Sequence, residues 1–172
     1  AIEATLERQN VFSHDSKDQD VFGVCREGGR TQLCAIRIRQ GRIQGTKKFP
    51  LVRVEAPTGE ILSSLLKQLY ADDIDIPGEI IIPDEIEDRA VIAEWLSEKK
   101  GGKVSLILPQ RGKRRQLMEM AVNNAGSMLK AQSDSERQTA SLGEALAAGL
   151  HLKKVPRTIE CFDISKHSMV LG

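Results

Sequence analysis

The chain has 172 residues, 40% of them hydrophobic and 28% charged, with a formal net charge of +1. That length allows one or at most two domains with a real core, and the near-zero charge excludes attraction of nucleic acid by the surface as a whole. Aromatic residues make up only 3%, so the core must be aliphatic, and stacking on unpaired bases is poorly supported.

In chain order, residues 1–9 read as the end of a helix and residues 10–19 as a polar linker. Three strands are predicted next. DVFGVCRE (20–27) leads into a Gly-Gly turn, TQLCAIRIRQ (31–40) leads into Gly41, and RIQGTKKFPLV (42–52) follows. In the second strand Cys34, Ile36 and Ile38 alternate with Arg37 and Arg39, the period-two pattern of a strand. The short Gly-containing connections predict an antiparallel meander.

The period then changes. Pro57 and Thr58 open a predicted helix striped by Ile61, Leu62, Leu65, Leu66 and Leu69. GEIIIP (78–83) is an apolar strand suited to burial on both faces, and 86–100 is a predicted helix with acids first and lysines last, as the helix dipole favours. KVSLILP (103–109) is another strand and 113–132 a long helix. A polar break is predicted over SDSERQ (133–138), then an amphipathic helix with Leu142, Leu146 and Leu150 at spacing four, and a last strand over 158–165.

The order βββαβαβα predicts an α/β domain over 20–132: a mixed sheet with flanking helices in a ribonuclease-H-like layout. Residues 133–157 form a linker and helix, and 158–172 begin a further domain. Starting in a helix and stopping after a strand is the pattern expected of a piece of a longer polypeptide. Cys25, Cys34 and Cys161 lack the close spacing of a zinc site and predict reduced, buried thiols in a cytoplasmic protein. No stretch approaches a membrane span and no signal peptide is visible. Walker-type glycine patterns are missing too, and the three histidines are too scattered to suggest a triad.

Several residues carry possible chemistry. Asp163 sits in the middle of the last strand, where a lone carboxylate is disfavoured. Arg111, Lys113, Arg114 and Arg115 crowd the start of a helix, where positive charge opposes the dipole and free N–H groups welcome a phosphate. They read either as a sugar-phosphate contact or as a solvated charged loop. A second basic group, Arg37, Arg39, Arg42, Lys47 and Lys48, reads as a solubilised sheet edge or a backbone-tracking patch.

RTIECFDIS (157–165), behind a leucine-rich helix and Pro156, resembles the start of the C-terminal nuclease domain of the UvrC family, the incision subunits of the bacterial excinuclease. LPQRGKRRQLMEMAVNNA (108–125) is similar to that family's Pro-x-x-Gly-basic helix. LERQNVF and DQDVFGV, within 6–24, resemble the segment after the hairpin that contacts UvrB. The resemblance implies a parent protein of nucleotide excision repair with UvrB and damaged DNA as partners, and Mg²⁺ or Mn²⁺ as cofactor of its nuclease site. It also implies that Asp163 is the first catalytic, metal-binding carboxylate of that site, whose partners lie beyond this chain. A Lys interposed before His167 departs from the family pattern, and His167 receives no role.

Two-metal hydrolysis needs several converging carboxylates. The first strand of residues 20–132 offers Gly23 and Cys25 where a ribonuclease-H-like acid belongs, with Asp20 only at its start. Asp84 and Glu85 follow the fourth strand but equally suit a helix start. The expectation is a catalytically inactive domain that positions DNA, with no cofactor of its own. The alternatives are a spacer that orders the parent against UvrB without touching DNA, and an active nuclease using Asp84 and Glu85.

Overall fold

The computed structural model describes residues 17–52, 55–72 and 75–160. Two compact units divide between Ala131 and Gln132. The first contains one five-stranded sheet: β1 (Gln19–Glu27), β2 (Arg30–Arg39), β3 (Arg42–Val52), β4 (Glu79–Ile81) and β5 (Ser105–Ile107), in the order β3-β2-β1-β4-β5. β1, β2 and β3 pair antiparallel, whereas β1–β4 and β4–β5 pair parallel. This is the mixed α/β sheet that the element order predicts.

Turn chemistry fixes the meander. Gly28 and Gly29 both have positive φ, as do Gln40 and Gly41, so each hairpin closes through two left-handed residues whose twist matches the strands. Pro50 is tolerated because β3 is an edge strand.

Both faces of the sheet are covered. Helices α1 (Thr58–Leu69) and α2 (Arg89–Lys100) bury Ile61, Leu62, Leu66, Ile92 and Leu96 against Phe22, Leu33, Ile80 and Ile82. Helix α3 (Gly112–Gly149) sets Leu117, Met118, Ala121 and Ala125 against Val21, Cys34, Ile36, Ile38 and Ile81. Each fully buried aliphatic side chain contributes about 1.5–3 kcal/mol. α2 begins three residues later than predicted, so Ile86, Glu87 and Asp88 form the turn before it and no acid lies in its first turn.

The predicted break over 133–138 does not occur, and α3 is helical throughout that stretch. SDSERQ contains neither Gly nor Pro, and local bonds satisfy it: Gln132 donates to Glu136 at 3.1 Å and the Thr139 hydroxyl to the Ser135 carbonyl at 2.9 Å. In the second unit the helix closes in a Schellman turn, with His151 left-handed and the Leu152 N–H bonded to the Ala147 carbonyl at 2.8 Å. Thr158, Ile159 and Glu160 are exposed and not in a strand; the rest of the predicted last strand, with Cys161, Asp163 and His167, lies outside the described residues.

Candidate nucleic-acid interface

β1, β4 and β5 run parallel, so the sheet has a leading end where they begin and a trailing end where they finish. The helices are ordered along the same axis. Gly59 of α1 sits against the Glu85 carbonyl at the trailing end, and Tyr70, just past α1, reaches Asp20 at the leading end. α3 runs alongside β1 in the same sense, with Arg114 beside Glu79, Ala121 against Gly23 and Gly126 against Cys25.

Of the two positions expected to carry a ribonuclease-H-like carboxylate, Gly23 and Cys25, Gly23 is the middle residue of β1. A Cβ there would stand 2.1 Å from the Ala121 carbonyl carbon and 2.5 Å from the Val122 nitrogen. The backbone of α3 fills the place of any side chain, and the neighbouring Cys34 Sγ approaches the Ala121 carbonyl at 3.1 Å. Burial pushes the Cys34 thiol up to about 11, so it stays protonated. Cys34 is buried, Cys25 is half-buried, and both are free thiols.

Asp20, at the start of β1, is fully engaged. The Tyr70 hydroxyl donates to Oδ2 at 2.5 Å and Arg39 Nη1 to Oδ1 at 2.8 Å. Arg39 also holds the Asp75 carboxylate at 3.1 Å and the Asp75 carbonyl at 3.0 Å. Burial disfavours the guanidinium charge, but Asp20 and Asp75 outweigh it and raise its pKa. Burial is also the main reason the Tyr70 phenol is pushed far up, with the Asp20 charge adding to it. Arg39 therefore does not belong to an exposed basic patch on the hairpin, as its alternation with Ile38 suggested. The face it shares with Leu33 and Ala35 is covered by helices.

At the trailing end, Asp84 and Glu85 lie in the connection after β4. Asp84 Oδ1 accepts the Glu85 N–H at 2.9 Å, and Glu85 pairs with Arg89 at 3.2 Å. With Glu60, Glu87 and Asp88 they line a groove at the starts of α1 and α2. The donor set does not fit a metal pair: Gly23 offers no oxygen, both oxygens of Asp20 are taken, and among the described residues no three His, Cys, Asp or Glu side chains, those of this groove included, are grouped so that they could hold a metal ion.

At the leading end the central group is Glu79. Arg114 grips it with two bonds of 2.8 and 3.0 Å, Gln19 donates at 2.7 Å, and Lys17 approaches at 3.3 Å. Burial alone would raise this carboxyl, yet the bonds from Arg114, Gln19 and Lys17 lower it to about 2. Lys17, Asp18, Gly78, Glu79, Lys100, Lys103 and Ser105 line a recess here.

The helix-start basic residues thus have different environments. Arg114 is half-buried on Glu79; Arg111 and Lys113 are exposed; Arg115, also exposed, pairs with Glu119 at 2.7 Å. Sequence reasoning missed Glu79, Lys100 and Lys103. The one available signal was Glu79 itself, an acid heading the otherwise apolar strand GEIIIP.

A family model described as the UvrC ribonuclease H-like domain matches residues 18–132. The UvrABC system protein C of Syntrophus aciditrophicus is 47% identical over 96% of this chain and 27% of its own length. Its namesakes in Geobacter sp. strain M21 and Syntrophotalea carbinolica are 41% and 38% identical over 96% of this chain and 25% and 27% of theirs. The chain spans about a quarter of the length of these curated relatives.

Proposed function

The chain belongs to the UvrC ribonuclease H-like domain family, and we propose that it is a non-catalytic, DNA-positioning part of a bacterial excinuclease subunit. In this reading the parent protein is a cytoplasmic endonuclease that works with UvrB on damaged DNA. Its Mg²⁺- or Mn²⁺-dependent chemistry resides elsewhere, with Asp163 as the first carboxylate of a site completed beyond this chain. Among the described residues no helix is long and apolar enough to cross a membrane.

One observation carries the reading: the mid-strand position of β1 is a glycine pressed against the α3 backbone. A carboxylate cannot be accommodated there, so the sheet retains the ribonuclease-H-like frame without the group that would give it metal chemistry. The basic start of α3 supports a DNA contact at the leading end of the sheet, since Arg111, Lys113 and Arg115 crowd a helix end whose dipole already carries positive charge.

The test is binding of the chain to duplex and bubble DNA across a salt series, with a Mn²⁺ nicking assay on the same samples. Salt-dependent binding without nicking is expected. Nicking by the purified chain overturns the reading. Binding that fails even at low salt favours the spacer that orders the parent against UvrB. Leu142 on α3 and Leu150 just past its end, both exposed, are the feature that favours that second reading.

A further inference from the structure

The charge on the two ends of the sheet has opposite sign, and the directions of the helices explain only part of it. The trailing end receives the N-termini of α1 and α2, and its groove holds five carboxylates offset by two cations, Lys67 on Asp88 at 3.4 Å and Arg89 on Glu85 at 3.2 Å. Acids beside two helix starts satisfy the dipoles. The leading end receives the corresponding C-termini, where Lys99 donates to the Tyr70 carbonyl at 2.6 Å and also to the Ala71 carbonyl. Lys100, in the same last turn of α2, suits that dipole as well, so the rule accounts for two lysines.

The dipole rule does not account for the rest. α3 begins at the leading end, so its positive N-terminus faces the same way as Lys17, Lys100 and Lys103. The two carboxylates among them are committed: Glu79 to Arg114, Gln19 and Lys17, and Asp18 to the Gln40 N–H at 2.9 Å. Lys100 and Lys103 line the recess without a carboxylate partner among the described residues, and Gly78, lacking a side chain, keeps the space beside the Lys100 ammonium open. Ser105 adds a polar residue to the wall. The result is a concave site of surplus positive charge, with fixed cations on an internal carboxylate and two flexible ammonium groups at its rim.

We propose that this recess binds the phosphates of duplex DNA, with Lys100 and Lys103 as the direct contacts and with Lys17 and Arg114, held by Glu79, as positioning charge. Lysine ammonium groups act as point charges on a phosphate, and the recess is lined by no aromatic side chain, so the contact reads backbone and not sequence. The proposal rests on the DNA-positioning reading and extends it. It moves the principal contact from the start of α3 to the neighbouring recess, on the end of the sheet opposite Asp84 and Glu85.

The experiment is fluorescence anisotropy of a labelled duplex with the full chain across a salt series. It compares Lys100→Ala/Lys103→Ala, Arg111→Ala/Arg115→Ala, and Lys67→Ala as a control on the acidic groove, each checked for fold by circular dichroism. Lys100→Ala/Lys103→Ala is expected to weaken binding about tenfold or more at low salt and to flatten the log–log salt slope by about 2, since each lost phosphate contact removes about 0.9. Lys67→Ala is expected to bind as the parent chain does. If Lys100→Ala/Lys103→Ala keeps the parent affinity and slope while Arg111→Ala/Arg115→Ala loses binding, the recess proposal falls and the DNA-positioning reading stands. If the unmodified chain fails to bind duplex at low salt, both fall together.

Discussion

The leading and trailing ends of the sheet use carboxylates in opposite ways. At the leading end Asp20 and Glu79 are buried, and each is gripped by an arginine and a second donor. At the trailing end Asp84, Glu85 and Glu87 are exposed and stand near the starts of α1 and α2. Their energetic roles differ accordingly. The buried groups hold long-range structure, because losing one strands a desolvated partner. The exposed ones add little beyond a favourable helix dipole. A count of acids near a strand end therefore says little about catalysis until their partners are known.

The largest predicted effect tests whether the sheet can be returned to a catalytic arrangement. Gly23→Asp puts a carboxylate in the middle of β1, but its Cβ would fall 2.1 Å from the Ala121 backbone. Backbone cannot rotate away as a side chain can, so α3 must detach or shift. The expected cost is about 4 kcal/mol or more, at the extreme of single substitutions. Thermal denaturation with and without Mn²⁺ checks this: a large drop in Tm that the metal does not restore is expected. A folded variant stabilised by Mn²⁺ would show that the frame still accepts a metal.

Asp20→Ala comes next, and its trailing-end counterpart sharpens the contrast. Removing Asp20 leaves the largely buried Arg39 guanidinium with Asp75 and the Gln19 and Ile38 carbonyls, and strips the Tyr70 hydroxyl of its acceptor. The expected loss is about 3 kcal/mol. Asp84→Ala removes an exposed carboxylate whose side chain, among the described residues, bonds the Glu85 N–H alone, and should cost less than about 1 kcal/mol. Urea denaturation of the two variants measures the difference, and equal losses would erase the distinction between the two ends.

Glu79 gives the contrast a pH dependence. Its carboxyl is lowered from 4.5 to about 2, so its contribution is fully present above about pH 5. That stability is lost as the pH falls through the window between 4.5 and about 2. After allowance for the partly exposed Arg114, the contribution is about 2 kcal/mol. Stability measured from pH 6 down to pH 2.5 should fall less steeply in Glu79→Gln than in the parent chain. Parallel acid limbs would remove Glu79 from the account.

Much of the frame is legible in the sequence because its signals are local. Gly28-Gly29 and Gly41 mark the two hairpins, and the strand limits read from them differ from the observed ones by at most one residue. The apolar runs GEIIIP and KVSLILP contain β4 and β5. The partners of Asp20 were not legible, since Arg39 lies across a hairpin and Tyr70 is 50 residues away. Alternation placed Arg39 on one face of β2, but nothing local says that α1 and α2 cover that face. Phe22, Leu33 and Ala35 on the same side were the available warning. The polar run over 133–138 shows the opposite error, because polarity without Gly or Pro does not end a helix. The leading-end recess escaped notice for a third reason: Lys17, Glu79, Lys100 and Arg114 come from four separate stretches that meet only through the parallel pairing of β1, β4 and β5.

The smallest predicted effect is a gain in stability. Gln40 occupies the first left-handed position of the β2–β3 turn, at φ 51°, where a Cβ is disfavoured. The structure holds it there partly through the bond from its N–H to Asp18, a carboxylate that also lines the recess. Gln40→Gly keeps that N–H and removes the Cβ, but it also gives the unfolded chain more freedom to lose. The side-chain strain is the larger of the two effects, so a net gain of about 0.5 kcal/mol is expected, a rise of a few degrees at most in Tm. Because the turn stays closed, Asp18 stays committed and DNA affinity at the leading end should not change. A stabilised variant with unchanged binding would show that the turn supports the recess only through Asp18. A stabilised variant that binds DNA differently would place the Gln40 side chain itself in the contact.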